Sequence, residues 1–200
     1  MRSVMPISIA ILLALAVTAP AQTTGHANRG NGSTGLAADD PQARLDGLFS
    51  DLKRAGNEAA ARKISQRIRQ EWSKSGSATI DLLMIRANKA VDEKNYDAAL
   101  DYLDEIVTLA PSYAEGWNLR ATVHFGRDDY GRSMADIDRV LRLEPRHFGA
   151  LSGMAAILKA TGHNSAAAAA YERLLEVYPM MRDAQTESGK LADEMAGQAI

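Results

Sequence analysis

The chain contains no cysteine. Disulfides, thiolate metal sites and cysteine nucleophiles are therefore excluded, and so is a lipid-anchored export signal, which needs a cysteine at its cleavage point. Nothing here can misoxidise into a crosslink, so an oxidising compartment is compatible with this composition. The chain also lacks a charge excess. Its formal net charge is −2 at pH 7, without the basic surplus that a nucleic-acid partner demands. Catalytic constellations are missing as well. The four histidines, at 26, 124, 147 and 163, include no two at a spacing that shares a helix face. There is no Gly-rich phosphate loop, no paired-histidine metal motif and no nucleophile elbow. Carboxylates are plentiful, yet none falls in an apolar pocket identifiable from the sequence. The expectation is a protein with no catalytic residue, no metal and no cofactor.

What the chain does have is a period. Pro111, Pro145 and Pro179 follow one another at intervals of 34 residues, and a fixed period in the thirties signals a repeat architecture. With each proline as residue 32 of its unit, the units begin at Ile80, Ala114 and Phe148. Small residues recur at the eighth place (Ala87, Ala121, Ala155) and the twentieth (Ala99, Ser133, Ala167). Large apolar residues recur at the fourth (Leu83, Trp117, Leu151) and the twenty-fourth (Leu103, Ile137, Tyr171). Apolar positions within each half are three or four residues apart, so each unit reads as two short helices. Proline cannot donate the hydrogen bond that a continuing helix needs, so each one closes a second helix. One hairpin cannot bury its apolar face alone, and neighbours must stack. The fold class predicted is all-α, an α-solenoid of stacked antiparallel helix pairs. His124, at the eleventh place beside Ala90 and Leu158 of the other units, is expected in or near the core. His147 and His163, in turns between helices, are expected to be exposed.

These three units in register resemble the tetratricopeptide repeat (TPR), a helix-turn-helix of 34 residues, over about half of the chain. The departures are specific. The glycine expected between the helices is present only as Gly162, with Lys94 and Asp128 in the other units. The small residue expected at the twenty-seventh place is replaced by Ile106, Val140 and Leu174, which should widen the helix spacing slightly. The resemblance implies a right-handed superhelix whose first helices line a concave groove. It places Met84, Asn88, Asn118, Thr122, Phe125, Ser152 and Lys159 among the partner-contacting positions. Asparagines there could grip a peptide backbone, while Met84 and Phe125 could accept an apolar side chain. The subtype that binds chaperone tails needs a ring of lysine, arginine and asparagine. Only Asn88 matches it; Met84, Leu119, Gly149 and Gly153 do not. Arg86 and Arg120 share the seventh place, each with an aspartate eighteen residues on, so structural arginine–aspartate bridges within or between units are expected among Arg86, Asp104, Arg120 and Asp138.

The flanks complete the organisation. Residues 1–21 read as a secretory signal peptide: Arg2 precedes the apolar run Ile7 to Ala19, and Ala19-Pro20-Ala21 offers small residues at the cleavage positions. That run of thirteen is short of the ~20 residues a bilayer span needs, which favours cleavage after Ala21 over a retained membrane anchor, with Ala27 as an alternative cleavage site. Residues 22–40, rich in Gly, Asn, Thr and Ser, are predicted to be a disordered linker. Residues 41–78 form a degenerate helical hairpin expected to act as a capping repeat, with eight basic residues against four acidic ones. Repeats follow at 79–111, 112–145 and 146–179, and residues 180–200 supply a capping helix. The predicted protein is an exported, periplasmic, non-catalytic adaptor that holds a protein or peptide in its groove, without nucleic acid and without a membrane once the signal is cleaved. A subunit of an envelope-assembly or secretion complex docking through the basic hairpin is the first alternative. A cell-wall hydrolase accessory with a carboxylate or histidine site is the second.

Overall fold

The computed structural model describes residues 40–198, so the predicted signal peptide and nearly all of the predicted linker lie outside the described residues. Nine helices fill this span: α1 (Pro41–Arg54), α2 (Glu58–Trp72), α3 (Ala78–Asp92), α4 (Tyr96–Leu109), α5 (Ala114–Gly126), α6 (Tyr130–Leu143), α7 (Phe148–Ala160), α8 (Asn164–Val177) and α9 (Arg182–Gln198). Among the described residues no strand is present, and no helix is long and apolar enough to cross a membrane. From α3 onward each helix packs on the next, and α5 also meets α7. That is the stack of helix pairs the period predicts.

The repeat positions explain the pairing. The eighth-place alanines are 0 to 3% exposed and the twentieth-place residues 0 to 1%, so backbones approach where side chains are smallest. In the middle repeat the Ser133 hydroxyl donates to the Ala121 carbonyl at 2.8 Å, which satisfies a polar group at that contact. The bulk of Ile106 is taken up by Gly116, where an added Cβ would stand 2.6 Å from Ile106 Cγ2. Each pair turns through a left-handed residue at the fifteenth place: Lys94, Asp128 and Gly162, with φ of 56°, 57° and 76°. The next residue closes a six-to-one bond in all three turns, Asn95 to Ala90, Asp129 to His124 and His163 to Leu158. Lys94 and Asp128 thus adopt a conformation that glycine takes at lower cost.

The first hairpin is arranged differently from a capping repeat. Instead of stacking ahead of α3, it folds back onto the third repeat, and its core residues Leu48, Phe49, Leu52, Ile68 and Trp72 cluster with Phe148, Leu151, Tyr171, Leu174 and Tyr178. Helix α2 runs along the inter-repeat turns in reverse chain order. Glu58 pairs with Arg182 at the start of α9, and the Tyr178 hydroxyl donates to Ser65 Oγ at 3.4 Å. Trp72 stacks on His147 with ring centroids 4.2 Å apart, and the Tyr113 hydroxyl reaches the Ser73 carbonyl at 3.1 Å. Helix α1 adds Asp46 to Arg146 at 2.8 Å, with the Arg146 guanidinium over the Phe49 ring. The reason lies in which partner buries more apolar surface: α2 carries Ile68 and Trp72 on one face, and the aromatic row at Phe148 and Tyr178 matches it. His147 is consequently buried at 2% exposed, contrary to the expectation of an exposed turn residue.

Of the expected ion pairs, the structure forms one between units, Arg120 with Asp104, and replaces the others. Arg120 donates Nε and Nη2 to Asp136, at 2.8 and 2.7 Å, and Nη1 to Asp104 at 2.8 Å. Asp138 pairs with Arg142 on the surface, and Arg86 has no ion pair among the described residues. The geometry supplies a rule. Two positions along a helix turn a side chain through about 200°. A twenty-third-place aspartate therefore faces the arginine of its own repeat, and a twenty-fifth-place aspartate faces the next repeat. The first repeat has Tyr102 and no aspartate at its twenty-third place, and Asp138 would meet the uncharged Met154 of the third repeat. Only the middle repeat can complete the clamp.

Two outcomes follow for stability. Arg120→Met leaves the buried Asp136 carboxylate unpaired and is expected to cost about 3 kcal/mol, read by denaturant unfolding, while partner binding by the folded fraction is unchanged. His124, 7% exposed beside the clamp, has its pKa held below the ordinary 6.5 by burial, against an opposing pull from Asp136. Its contribution to stability is complete above pH 6.5 and is lost as pH falls below it. His124→Gln should flatten that part of the profile in melts at ~7.5 and ~5.5, and an unchanged slope would refute the assignment.

Candidate functional site

The groove positions that the resemblance names lie on the first helices of the repeats, α3, α5 and α7. On α3, Met84 is half-buried and Asn88 exposed, with the Asn88 amide donating to the Met84 carbonyl at 2.8 Å. On α5, Asn118 is half-buried, while Thr122 and Phe125 are exposed. On α7, Ser152 and Lys159 are half-buried.

The structure brings four of these together. Asn118, Thr122, Phe125 and Ser152 line one cavity of about 250 Å³ between α5 and α7, floored by Ala121, Ser133 and Ile137. It is open because α7 turns Gly149, Gly153 and Ala156 toward it. A Cβ on Gly153 would already touch Ile137 Cδ1 at 3.2 Å, and one on Gly149 would lie 3.6 Å from Asn118 Oδ1. The cavity is therefore apolar at its base, with amide and hydroxyl groups at its rim. That combination suits an apolar side chain carried on a backbone that needs hydrogen-bond partners.

Met84 and Asn88 stand apart on α3 and do not line this cavity. Lys159 is committed elsewhere: its ammonium lies 2.6 Å from Glu187 of α9, which also receives Lys190 at 2.7 Å. The two ammonium groups hold the Glu187 carboxyl down at about 2. Lys159 thus ties the capping helix to the groove edge rather than offering a free cation. The remaining exposed charges of α3 on this side, Asp81 and Asp92, are acidic.

Sequence reasoning missed what lies behind the cavity. The Asn118 amide donates to Glu115 Oε2 at 3.2 Å, and Glu115 Oε1 lies 3.2 Å from His147 Nε2. Nδ1 of His147 accepts from the Ala150 backbone N–H at 3.1 Å, which caps α7 and leaves the ring proton on Nε2, pointing at Glu115. The opposite face of that imidazole is covered by Trp72. A chain of contacts therefore runs from the groove rim through Glu115 and His147 to the first hairpin. Its one sequence signal was the position of His147 directly before α7, where a side chain can cap the helix.

No family model matches the chain. It is 53% identical over 161 residues to a TPR repeat-containing protein of Rhizobium etli, an alignment covering 80% of this chain and 79% of that protein. A weaker likeness, 25% over 95 residues, joins 48% of the chain to 28% of the small glutamine-rich tetratricopeptide repeat-containing protein 2 of Saccharomyces cerevisiae. Among solved structures, the first TPR of Spaghetti (RPAP3) bound to an HSP90 peptide superposes with a TM-score of 0.56 at 24% identity, over 58% of this chain and 93% of that one. The MamA protein superposes at 0.55 with 15% identity, over 78% and 83%. At these identities the superpositions speak for the fold, whereas the Rhizobium relative runs through most of both chains. The chain belongs to the family of TPR repeat-containing proteins.

Proposed function

We propose that the protein is a non-catalytic adaptor that holds an extended peptide or a partner helix in its concave face, gripping one bulky apolar side chain. The observation that carries this reading is the cavity between α5 and α7, where small residues on α7 leave room for such a side chain beneath Asn118, Thr122 and Ser152. Burying one leucine- or phenylalanine-sized group there is worth about 1.5–3 kcal/mol, and asparagine and serine can hold the adjoining backbone. Structural neighbours were solved with HSP90 and Hsp70 peptides, which supports peptide binding as the mode. The occupant differs from those tails: Met84, Leu119, Gly149 and Gly153 stand where a carboxylate-binding ring would need basic groups, and the charged groove positions of α3, Asp81 and Asp92, are acidic. The basic hairpin is less suited to docking, since its apolar side is occupied by the third repeat.

Export to the periplasm is part of the same proposal and rests on the sequence of residues 1–21, with which the lack of cysteine is compatible.

Crosslinking in intact cells followed by mass spectrometry identifies the partner, and Ala156→Leu, which fills the cavity, tests its seat. The expected result is at least a tenfold loss of affinity, about 1.4 kcal/mol, with an unchanged melting temperature. Full capture by Ala156→Leu and by Asn88→Ala/Asn118→Ala would remove the groove as the docking surface. For export, fractionation and N-terminal sequencing should recover a periplasmic chain beginning at Gln22; a cytoplasmic chain that still starts at Met1 contradicts it.

A further inference from the structure

Third, sixth and tenth places of each first helix face the repeat before it. A Cβ on Gly116, third in α5, would meet Ile106 Cγ2 at 2.6 Å and Val107 Cγ1 at 3.7 Å on α4. One on Gly153, sixth in α7, would meet Ile137 Cδ1 of α6 at 3.2 Å. Val123 and Ile157, both tenth, are 1% and 3% exposed. Helix α3 presents the same three places as Leu82, Ile85 and Lys89, and among the described residues no repeat stands in front of them. Leu82 is 49% exposed and Ile85 66%, because the hairpin that would have covered them lies along the inter-repeat turns instead.

We propose that this open face pairs with the same face of a second copy of the chain, giving a weak two-fold dimer centred on Leu82 and Ile85. Among the described residues the exposed large apolar side chains are Leu82, Ile85, Leu109 and Phe125, and only the first two share one helix face. The matching surface on another copy is therefore α3 itself, which is the self-complementary contact a two-fold axis requires. Head-to-tail stacking would need an apolar far end. That end is covered by α9, whose exposed residues include Asp183, Thr186, Lys190 and Asp193. A further repeat stacked in register is disfavoured by Lys89, which would be buried where Val123 and Ile157 sit, and an unpaired buried ammonium is costly. A contact centred on Leu82 and Ile85 leaves Lys89 at the rim, 3.8 Å from Glu93. The rim holds both signs, Asp81 and Asp92 with Arg86 and Lys89, so two copies meet without net repulsion. Two side chains fall well short of the roughly 800 Å² per partner of a stable complex, so the dimer depends on concentration.

Sedimentation of the full chain tests this without reference to the groove. Wild type should show a monomer–dimer equilibrium by about 1 mM, and Leu82→Glu/Ile85→Glu should reduce the association constant at least tenfold at an unchanged melting temperature. Because the chain has no cysteine, Ile85→Cys places a single thiol at the contact. A short bis-maleimide should join two such chains and should not join two Thr186→Cys chains. Overturning results are a wild type that stays monomeric, a dimer that survives the two glutamates, or crosslinking that requires a mixture of Ile85→Cys and Thr186→Cys. A monomer whose melting temperature falls in the glutamate variant also overturns it, by showing Leu82 and Ile85 covered from within the same chain.

Discussion

Two helices can approach only as closely as the side chains between them permit, and in this chain six small residues set that distance. Ala87, Ala121 and Ala155 meet Ala99, Ser133 and Ala167 across the three pairs, all nearly without solvent exposure. Close approach brings Leu103, Ile106, Val140 and Leu174 into full burial between successive pairs. Burial of that apolar surface is the driving force of the stack, since no single hairpin encloses a core of its own. The groove is a by-product of the same constraint: stacked pairs present their first helices along one side.

Small residues do a second task on α7. Gly149, Gly153 and Ala156 leave the cavity that larger side chains would close. The first hairpin then stiffens the opposite edge by crossing the inter-repeat turns, from Arg182 past Tyr178 and His147 to Tyr113. Through His147 and Glu115 that brace reaches Asn118 at the cavity rim. Hairpin and groove rim are thus linked by a continuous set of contacts, which would lower the ordering cost of the proposed binding. The exposed α3 face is the cost of the same arrangement, because a hairpin spent on the edge cannot also cover the end.

Much of this was legible in the sequence because it depends on local spacing. The helix pairs, the burial of the eighth and twentieth places and the buried His124 follow from a 34-residue period and from proline chemistry. Four positions that the resemblance named, Asn118, Thr122, Phe125 and Ser152, line one cavity. Lys159 did not stay free, since its partner Glu187 lies on α9, 28 residues away, at no spacing the repeat encodes. Asp138 was misplaced for a related reason, although Asp104 does bridge to Arg120 of the next repeat. Counting eighteen residues onward ignores that a side chain two positions away points to another neighbour, so Arg120 takes Asp136 and Asp104 rather than Asp138.

The sequence by itself determined the repeated unit, its helices and which side of each is apolar, because helical periodicity and turn chemistry act over a few residues. Only the tertiary structure decided where the first hairpin goes. Its apolar stripe could have faced either end of the stack, and the choice rests on how well Ile68 and Trp72 fit Phe148, His147 and Tyr178, residues at least 75 positions away. Such fit is a property of surfaces assembled in space, and no local pattern records it. The buried His147, the bridged Asn118 and the bare Leu82 and Ile85 all descend from that one packing choice.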